Sequence, residues 1–337
     1  MAKARKLPSG RWNVRIYAGE GKYKSITRDT KREAELEAAR FDMERDRNKA
    51  PSVTVRECVR IYLKERKLSP TTYVNYEKIL NGGFKGFMDF PVNAITKEIA
   101  QRYIDLEAQR EGPHGKISPK TVKNGWALIS ASVRKVTGVT WAVSLPQAVK
   151  KLKMYPDPEE VIKKVAGSSV ELPCLLALWL SFTMSEIKGL KRSSIRDGYI
   201  CIDRVLVQAG TEEIEKASGK TYYRNRAHAL PPYLMALIEK TPAWQSGEDV
   251  YLIPDSRDTI YRRFKRLVPE LSFHDLRHLS ASIGLNELGL PEKVMQERGG
   301  WSTDQVMKTV YSHSFPRVRK ESDEKINQFF VEILTKN

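Results

Sequence analysis

The stretch that decides the fold is Phe273-His274-Asp275-Leu276-Arg277-His278, in which a histidine precedes an arginine by three positions. Residues at i and i+3 of a helix lie on one face, so His274 and Arg277 can reach the same ligand. The guanidinium group is planar and permanently charged, and it can hold two oxygens of one phosphate. Further along the chain, Tyr311 offers a phenolic oxygen as a nucleophile. Together these residues predict covalent chemistry at a phosphate.

A second short motif, Gly299-Gly300-Trp301-Ser302, lies between the histidine–arginine pair and the tyrosine. Its indole N–H can only donate a hydrogen bond, so Trp301 suits a phosphate oxygen and cannot titrate. An isolated His-x-x-Arg is usually an ordinary polar helix surface. The ordered set of three motifs is far more specific than any one of them.

Composition points to a polyanionic partner. The chain has 337 residues, a formal net charge of +17 and an isoelectric point near 9.6. Such an excess of positive charge is typical of proteins that bind nucleic acid. A merely soluble basic protein is the alternative. The length exceeds one ordinary core and predicts two or three domains.

The sequence also predicts a cytoplasmic protein. It contains no apolar run long enough to cross a membrane, and its first residues lead into no apolar signal segment. The three cysteines, Cys58, Cys174 and Cys201, lie far apart and lack the spacing of metal ligands. They are typical of reduced thiols in a cytosol.

The first segment, residues 1–50, is strongly basic. Arg11–Tyr17 alternates with period two, as a half-buried strand does, and 22–27 reads as a second strand. Thr30 and Glu33 form a capping box that predicts a helix to about Arg47. A basic tail that packs on the rest of the chain is the alternative to a DNA-binding domain. The candidate DNA-binding residues here are Lys3, Arg5, Lys6, Arg11, Arg15, Lys22 and Lys24.

Residues 51–145 show helical spacing of apolar side chains and predict a bundle of four helices. Pro119 suits the first position of the last helix. Residues 146–153 read as an interdomain linker with a cluster of lysines. This linker either crosses a phosphate backbone or is a solvated loop. Its candidate DNA-binding residues are Lys150, Lys151 and Lys153.

The motifs together resemble those of the tyrosine recombinases, the family of phage and conjugative-element integrases. The resemblance implies a multidomain, mainly α fold with small β elements. Residues 1–50 would form an arm-type DNA-binding domain with a small sheet and one helix, and 51–145 a helical core-binding domain. Residues 154–337 would form an α+β catalytic domain with a C-terminal helix.

The resemblance also implies a role for each site residue. Tyr311 would form a 3′-phosphotyrosine, Arg277 would bind the non-bridging oxygens, and His274 would orient the nucleophile or take its proton. Trp301 would hold a phosphate oxygen. Residues 199–207 are predicted to pair with 222–230 in a hairpin, where Lys220 would protonate the departing 5′ oxygen. Lys216, predicted in the same loop, is the alternative acid. No metal or other cofactor is expected, because protein cations neutralise the charge.

One position departs from the family pattern. Thr183 stands where an arginine normally precedes the Ser185-Glu186 pair, and threonine cannot supply a cation. With Glu186 it forms a capping box, which predicts a helix start. Lys188 would point elsewhere on that helix. Arg224 or Arg226 from the hairpin could reach the phosphate instead.

A C-terminal apolar stripe implies assembly. Ile326, Phe329, Phe330, Ile333 and Leu334 follow helical spacing. In the family this helix docks on a neighbouring protomer, so a homotetramer on double-stranded DNA with core and arm attachment sites is expected; packing on its own domain is the alternative. A directionality factor and a host DNA-bending protein are the further candidate partners, in the nucleoid of a bacterial host. Two other functions stay open: a DNA-binding protein that has lost catalysis, and a relaxing type IB topoisomerase.

Overall fold

The computed structural model describes residues 3–19, 21–49, 53–113, 115–148, 155–217, 225–301, 324–328 and 330–331. The chain divides into two compact units, Met1–Lys150 and Lys151–Asn337. Helices dominate both units and the sheets are small, so the predicted fold class is confirmed. In the described part of the chain, no helix has the length and hydrophobicity of a membrane span.

The first unit begins with a three-stranded antiparallel sheet in the order β1-β2-β3, covered by helix α1. Val14, Ile16 and Ile26 point from the sheet into a small core shared with Ala34 and Ala38 of the helix. The capping box of Thr30 and Glu33 is present, as predicted. The bounds are β1 Arg5–Lys6, β2 Trp12–Gly19, β3 Lys22–Arg28 and α1 Lys31–Lys49.

Four helices form the second core of this unit, as the apolar spacing predicts. Each helix begins at a hydroxyl residue whose side chain accepts from the backbone of the first turn. Pro119 occupies the first turn of the last helix, and Trp126, Ile129 and Val133 of that helix are buried. The bounds are α2 Val55–Glu65, α3 Pro70–Gly82, α4 Lys97–Gln109, β4 Glu111–Gly112, β5 Gly115–Lys116 and α5 Pro119–Thr137.

The second unit is built around one almost wholly apolar helix, α7 (Glu171–Leu180), most of whose residues are buried. Several of the other helices pack against it. The bounds of the other helices are α6 Pro158–Val165, α8 Met184–Gly189, α9 Pro232–Glu239, α10 Pro242–Gln245, α11 Arg257–Leu267, α12 Phe273–Ser282 and α13 Glu292–Gly299, with a π-helical turn at Ile283–Glu287. The strands are β6 Ile195–Arg196, β7 Tyr199–Ile202, β8 Arg204–Ala209, β9 Glu212–Ala217 and β10 Arg226–Ala229.

The predicted hairpin of 199–207 with 222–230 is only partly right. β7 pairs with β10 in the predicted antiparallel register, from Arg226 opposite Ile202 to Ala229 opposite Tyr199. The predicted first strand is interrupted at Asp203, however, and its second half, β8, pairs with β9 in a separate hairpin. Gly189 explains the break, because β8 crosses so close to it that a Cβ there would lie 2.9 Å from the Arg204 carbonyl oxygen. Packing against α8 therefore draws β8 away from the β7–β10 sheet.

The C-terminal stripe is described only in part. Residues 324–328 and 330–331 are helical, as the spacing of the apolar residues predicts. Ile326 and Phe330 are 55% and 57% exposed. Phe329, Ile333 and Leu334 lie outside the described residues.

Candidate active site

His274 and Arg277 lie in the first turns of α12, as the sequence predicts. Ser272 precedes the helix in a capping box with Asp275, whose carboxylate accepts from the Ser272 backbone N–H and hydroxyl, both at 2.6 Å. Asp275 is itself buried. The cap fixes the start of the helix and so the direction in which both functional side chains leave it.

Arg277 points inward and joins two distant segments. Its guanidinium donates to the carbonyl oxygen of Ser181 and, at 2.7 Å, to that of Gly299. The group also lies 4.2 Å from the ring centroid of Trp301, a cation–π contact. Only 7% of the side chain is exposed. Arg277 is therefore held rigidly, which suits a group that must meet a phosphate without reorganising.

Each of the two glycines before Trp301 has its own structural reason, backbone conformation for Gly300 and packing for Gly299. Gly300 has a φ of 66° and ends α13 in the left-handed conformation that favours glycine. A Cβ on Gly299 would lie 1.9 Å from the Trp301 ring. The indole is thereby stacked on Arg277 and 9% exposed. The structure places Trp301 beside the arginine, and its hydrogen bond to a phosphate stays a prediction.

Thr183 caps α8, as the sequence predicts. Its backbone N–H donates to Glu186 at 2.7 Å, and its hydroxyl accepts from the Glu186 N–H at 3.4 Å. Lys188 points away from this site, to the carbonyl oxygens of Ile253 and Asp255 at 3.2 and 2.8 Å. Burial lowers the pKa of Lys188. Neither residue supplies the cation that the family pattern has here.

Arg226 reaches the same place from β10. It forms a two-point ion pair with Glu186, at 2.9 and 3.0 Å, and a 3.5 Å contact with the Ser181 carbonyl oxygen. Arg277 lies 4.0 Å from the same carboxylate. Burial alone would raise the pKa of Glu186, but Arg226, the Thr183 N–H and Arg277 outweigh it and hold that pKa below its ordinary value. Glu186 is thus an ionised anchor between two arginines.

Sequence reasoning named Glu186 only as a cap and missed its second role. The Ser-Glu pair of the family pattern is the signal that could have marked it. It also missed His228 of β10, which packs on Phe182 with ring centroids 5.4 Å apart. Nothing in its sequence neighbourhood marks His228 as buried beside the site.

His274 lies at the surface of α12, and its ring centroid is 4.8 Å from that of His278. Packing of the ring against the protein, and then the charge of Arg277, lowers the pKa of His274. A lowered pKa keeps the imidazole neutral near pH 7, where it can accept a proton. The role of a base toward the tyrosine hydroxyl stays a prediction.

Several predicted site residues lie outside the described part of the chain. They are Lys220, Arg224 and Tyr311, and the linker lysines Lys150, Lys151 and Lys153. Lys216 is described, and the prediction that it shares the loop of Lys220 is wrong. It lies in β9, opposite Val205, because that strand pairs with β8.

The sheet of the first segment carries cations beside aromatic rings. Arg15 stacks over the ring of Tyr23 at 4.6 Å, and Tyr17 packs edge-on against the same ring at 5.4 Å. The sheet face opposite α1 therefore combines cations with aromatic rings. The predicted DNA-binding residues Lys3, Arg5, Lys6, Arg11, Arg15, Lys22 and Lys24 are exposed.

His228 makes the stability of the second unit depend on pH. Burial first, and then the charges of Arg226 and Arg298, lower its pKa to about 3, while Glu186 and the Arg298 backbone oppose this weakly. The unfolded chain takes up this proton near pH 6.5, so the contribution is complete above that pH and is lost as the pH falls toward 3.

When the pH is lowered from 7 to 5, the unfolding free energy of the wild type should fall by about 2 kcal/mol more than that of His228→Gln, given the folded pKa of about 3. Urea unfolding of the wild type and the variant at the two pH values measures this difference. An equal loss in both proteins would mean that His228 is protonated without cost in the fold.

Comparison with known proteins places the fold. No protein-family model and no curated protein match the chain. Among solved structures, the Tn1549 transposon integrase in complex with a circular intermediate DNA matches with a TM-score of 0.63 and 15% identity, over 82% of this chain and 100% of that one. The lambda integrase tetramer bound to a Holliday junction matches with a TM-score of 0.58 and 18% identity, over 93% and 97%. The resemblance is confirmed at the level of the fold: the chain shares the multidomain fold of these integrases.

Proposed function

We propose that the chain is a site-specific DNA recombinase, the integrase of a mobile element, and a member of the tyrosine recombinase family. One observation carries this proposal. His274, Arg277 and Trp301 come from two separate motifs, and the fold brings the arginine and the tryptophan into contact beside the turn at Ser181. A surface helix with ordinary polar residues would not bury its arginine under a tryptophan ring.

The proposed reaction is a transfer of one phosphodiester. The Tyr311 oxygen bonds to phosphorus while His274 takes its proton, and the bond to the 5′ oxygen breaks while Lys220 gives that oxygen a proton. Arg277 holds the non-bridging oxygens as their charge grows. The 3′-phosphotyrosine keeps the bond energy, so the 5′ hydroxyl of a second strand can reverse the step without ATP.

Tyr311→Phe tests this function. We expect it to abolish the covalent adduct on a nicked suicide duplex of the element's junction sequence, because only the attacking oxygen is lost. DNA affinity should stay within a few-fold of the wild type. Denaturing gels measure the adduct, and a binding titration on the same duplex is the control. An adduct that persists in the variant would assign the chemistry to another residue, such as Tyr222 or Tyr223.

The three-domain organisation belongs to the same proposal. Residues 1–50 would bind the arm sites through the basic aromatic sheet face, 51–145 would clamp the core site, 146–153 would link the two units, and 154–337 would perform the chemistry. The separate cores of the sheet and of the four helices support the first boundary. The lysine-rich linker would follow the DNA backbone.

Removal of residues 1–50 should therefore weaken binding to arm sequences and reduce its salt dependence. The slope of log affinity against log salt is negative, and each lost phosphate contact reduces its magnitude by about 0.9. Titrations at several salt concentrations give the slope, and Arg15→Ala serves as the single-residue counterpart. If truncation instead abolishes cleavage of an isolated core site, the first segment is part of the catalytic fold.

We propose that the protein acts as a tetramer on DNA, held by the C-terminal stripe of one copy on the second unit of another. The acceptor would be an apolar groove of about 270 Å³, lined by Ile162, Leu178, Trp179, Leu288, Leu290 and Met295. Trp179 and Leu288 are 43% and 65% exposed there. Each large apolar side chain of the stripe contributes roughly 1.5–3 kcal/mol when fully buried.

Deletion of Lys325–Asn337 should abolish complexes that hold two DNA sites while single-site binding survives. Trp179→Ser should have the same effect, since it removes the acceptor side of the contact. Native gels with one and with two labelled duplexes measure both. A truncated protein that unfolds as a monomer would show that the stripe packs on its own domain.

A second function, DNA binding without catalysis, is favoured by one observation. Thr183 replaces a phosphate-binding arginine and is committed to a helix cap. Loss of such a contact costs ~10²–10³ in rate. A wild-type protein that binds the junction duplex and forms no adduct would establish this second function.

A further inference from the structure

A cation from another element lies beside the position where the family pattern has an arginine and this chain has Thr183. Thr183 cannot carry charge, and the hydrogen bonds of its cap already involve both its hydroxyl and its N–H. The guanidinium of Arg226, from a different element, lies within hydrogen-bond distance of Glu186 and of the Ser181 carbonyl oxygen. Arg277 donates to the same carbonyl oxygen and lies 4.0 Å from the same carboxylate.

We propose that Arg226 takes the place of the arginine missing at Thr183 and stabilises, beside Arg277, the negative charge of the phosphate that is cleaved. This inference rests on the proposed recombinase function. It adds to it a residue on β10 that the family pattern does not place in this role.

The charge balance at the site supports this assignment. Among the described residues, two guanidinium groups lie beside one carboxylate, so these three side chains carry a net positive charge, and those of Arg226 and Glu186 are only 7% and 6% exposed. Burying an excess charge is costly unless a counter-ion compensates for it. A dianionic transition state of phosphoryl transfer is such a counter-ion. Electrostatic stabilisation of that state is strongest where the cations are already in place before the charge develops.

The geometry supplies a donor that can turn toward the phosphate. Both contacts of Arg226 with Glu186 are short, at 2.9 and 3.0 Å, whereas its contact with the Ser181 carbonyl oxygen is 3.5 Å. Hydrogen bonds at that distance are weak. Exchanging this contact for a phosphate oxygen would cost little and keep the Glu186 anchor intact.

Three other cations among the described residues of this unit donate hydrogen bonds elsewhere. Lys188 donates to the carbonyl oxygens of Ile253 and Asp255. Arg298 donates to the Trp179 carbonyl oxygen at 2.7 Å. Arg257 donates to the Ser185 hydroxyl and to the Leu206 carbonyl oxygen. Arg226 alone among these four pairs with the carboxylate that Arg277 approaches.

The test compares two nicked suicide duplexes of the element's junction sequence. One carries an ordinary phosphate at the cleaved position, and the other a methylphosphonate, which has no negative charge there. We expect Arg226→Ala to slow adduct formation on the phosphate by ~10²-fold or more. On the methylphosphonate it should react within a few-fold of the wild type, because the charge that Arg226 stabilises is absent.

Further variants separate this role from a structural one. Arg226→Gln combined with Glu186→Gln removes both charges, so neither partner is left buried and ionised if the alanine variant unfolds. Thr183→Arg added to Arg226→Ala should restore part of the rate on the phosphate. Arg192→Ala, which loses a stacked arginine at Trp244 in the same unit, is the control and should leave both rates unchanged.

An equal loss on both duplexes, or a folded Arg226 variant that cleaves the phosphate as fast as the wild type, would overturn the proposal for Arg226. No adduct from the wild type on either duplex would instead overturn the recombinase function itself, and the role of Arg226 with it.

Discussion

The site depends on one constraint, the need to hold the Arg277 guanidinium inside the protein. Two backbone carbonyl oxygens from segments far apart in sequence accept its hydrogen bonds, and an indole covers it. The turn at Ser181 must stand at the end of the apolar helix α7, and Gly299 must stand at the end of α13. The core of the second unit therefore serves to bring three chain segments to one side chain.

Much of this could be predicted from the sequence, because the signals are local. The helix starts follow from capping residues such as Thr183 and Ser118, which are recognisable within four positions. Helix periodicity likewise predicts that His274 and Arg277 lie on one helix, and α12 carries both residues, whereas their joint action on one phosphate stays a prediction.

What escaped prediction depends on contacts between distant segments. Nothing near Arg226 in sequence shows that it meets Glu186, because a β strand and a helix cap approach each other only in the folded unit. The break at Asp203 likewise results from the close approach of Gly189 to β8, which no turn residue signals. The cost of burying His228 is also tertiary, since it comes from neighbours that the fold supplies.

Gly299 has a consequence for how this sequence can diverge. A side chain there would occupy the volume of the Trp301 ring, so the position cannot drift while that ring stays stacked on the arginine. In distant relatives, we expect a glycine at such a position to persist longer than the reactive side chains. A sequence pattern that gives weight to this glycine would then find homologues that a pattern of reactive groups misses.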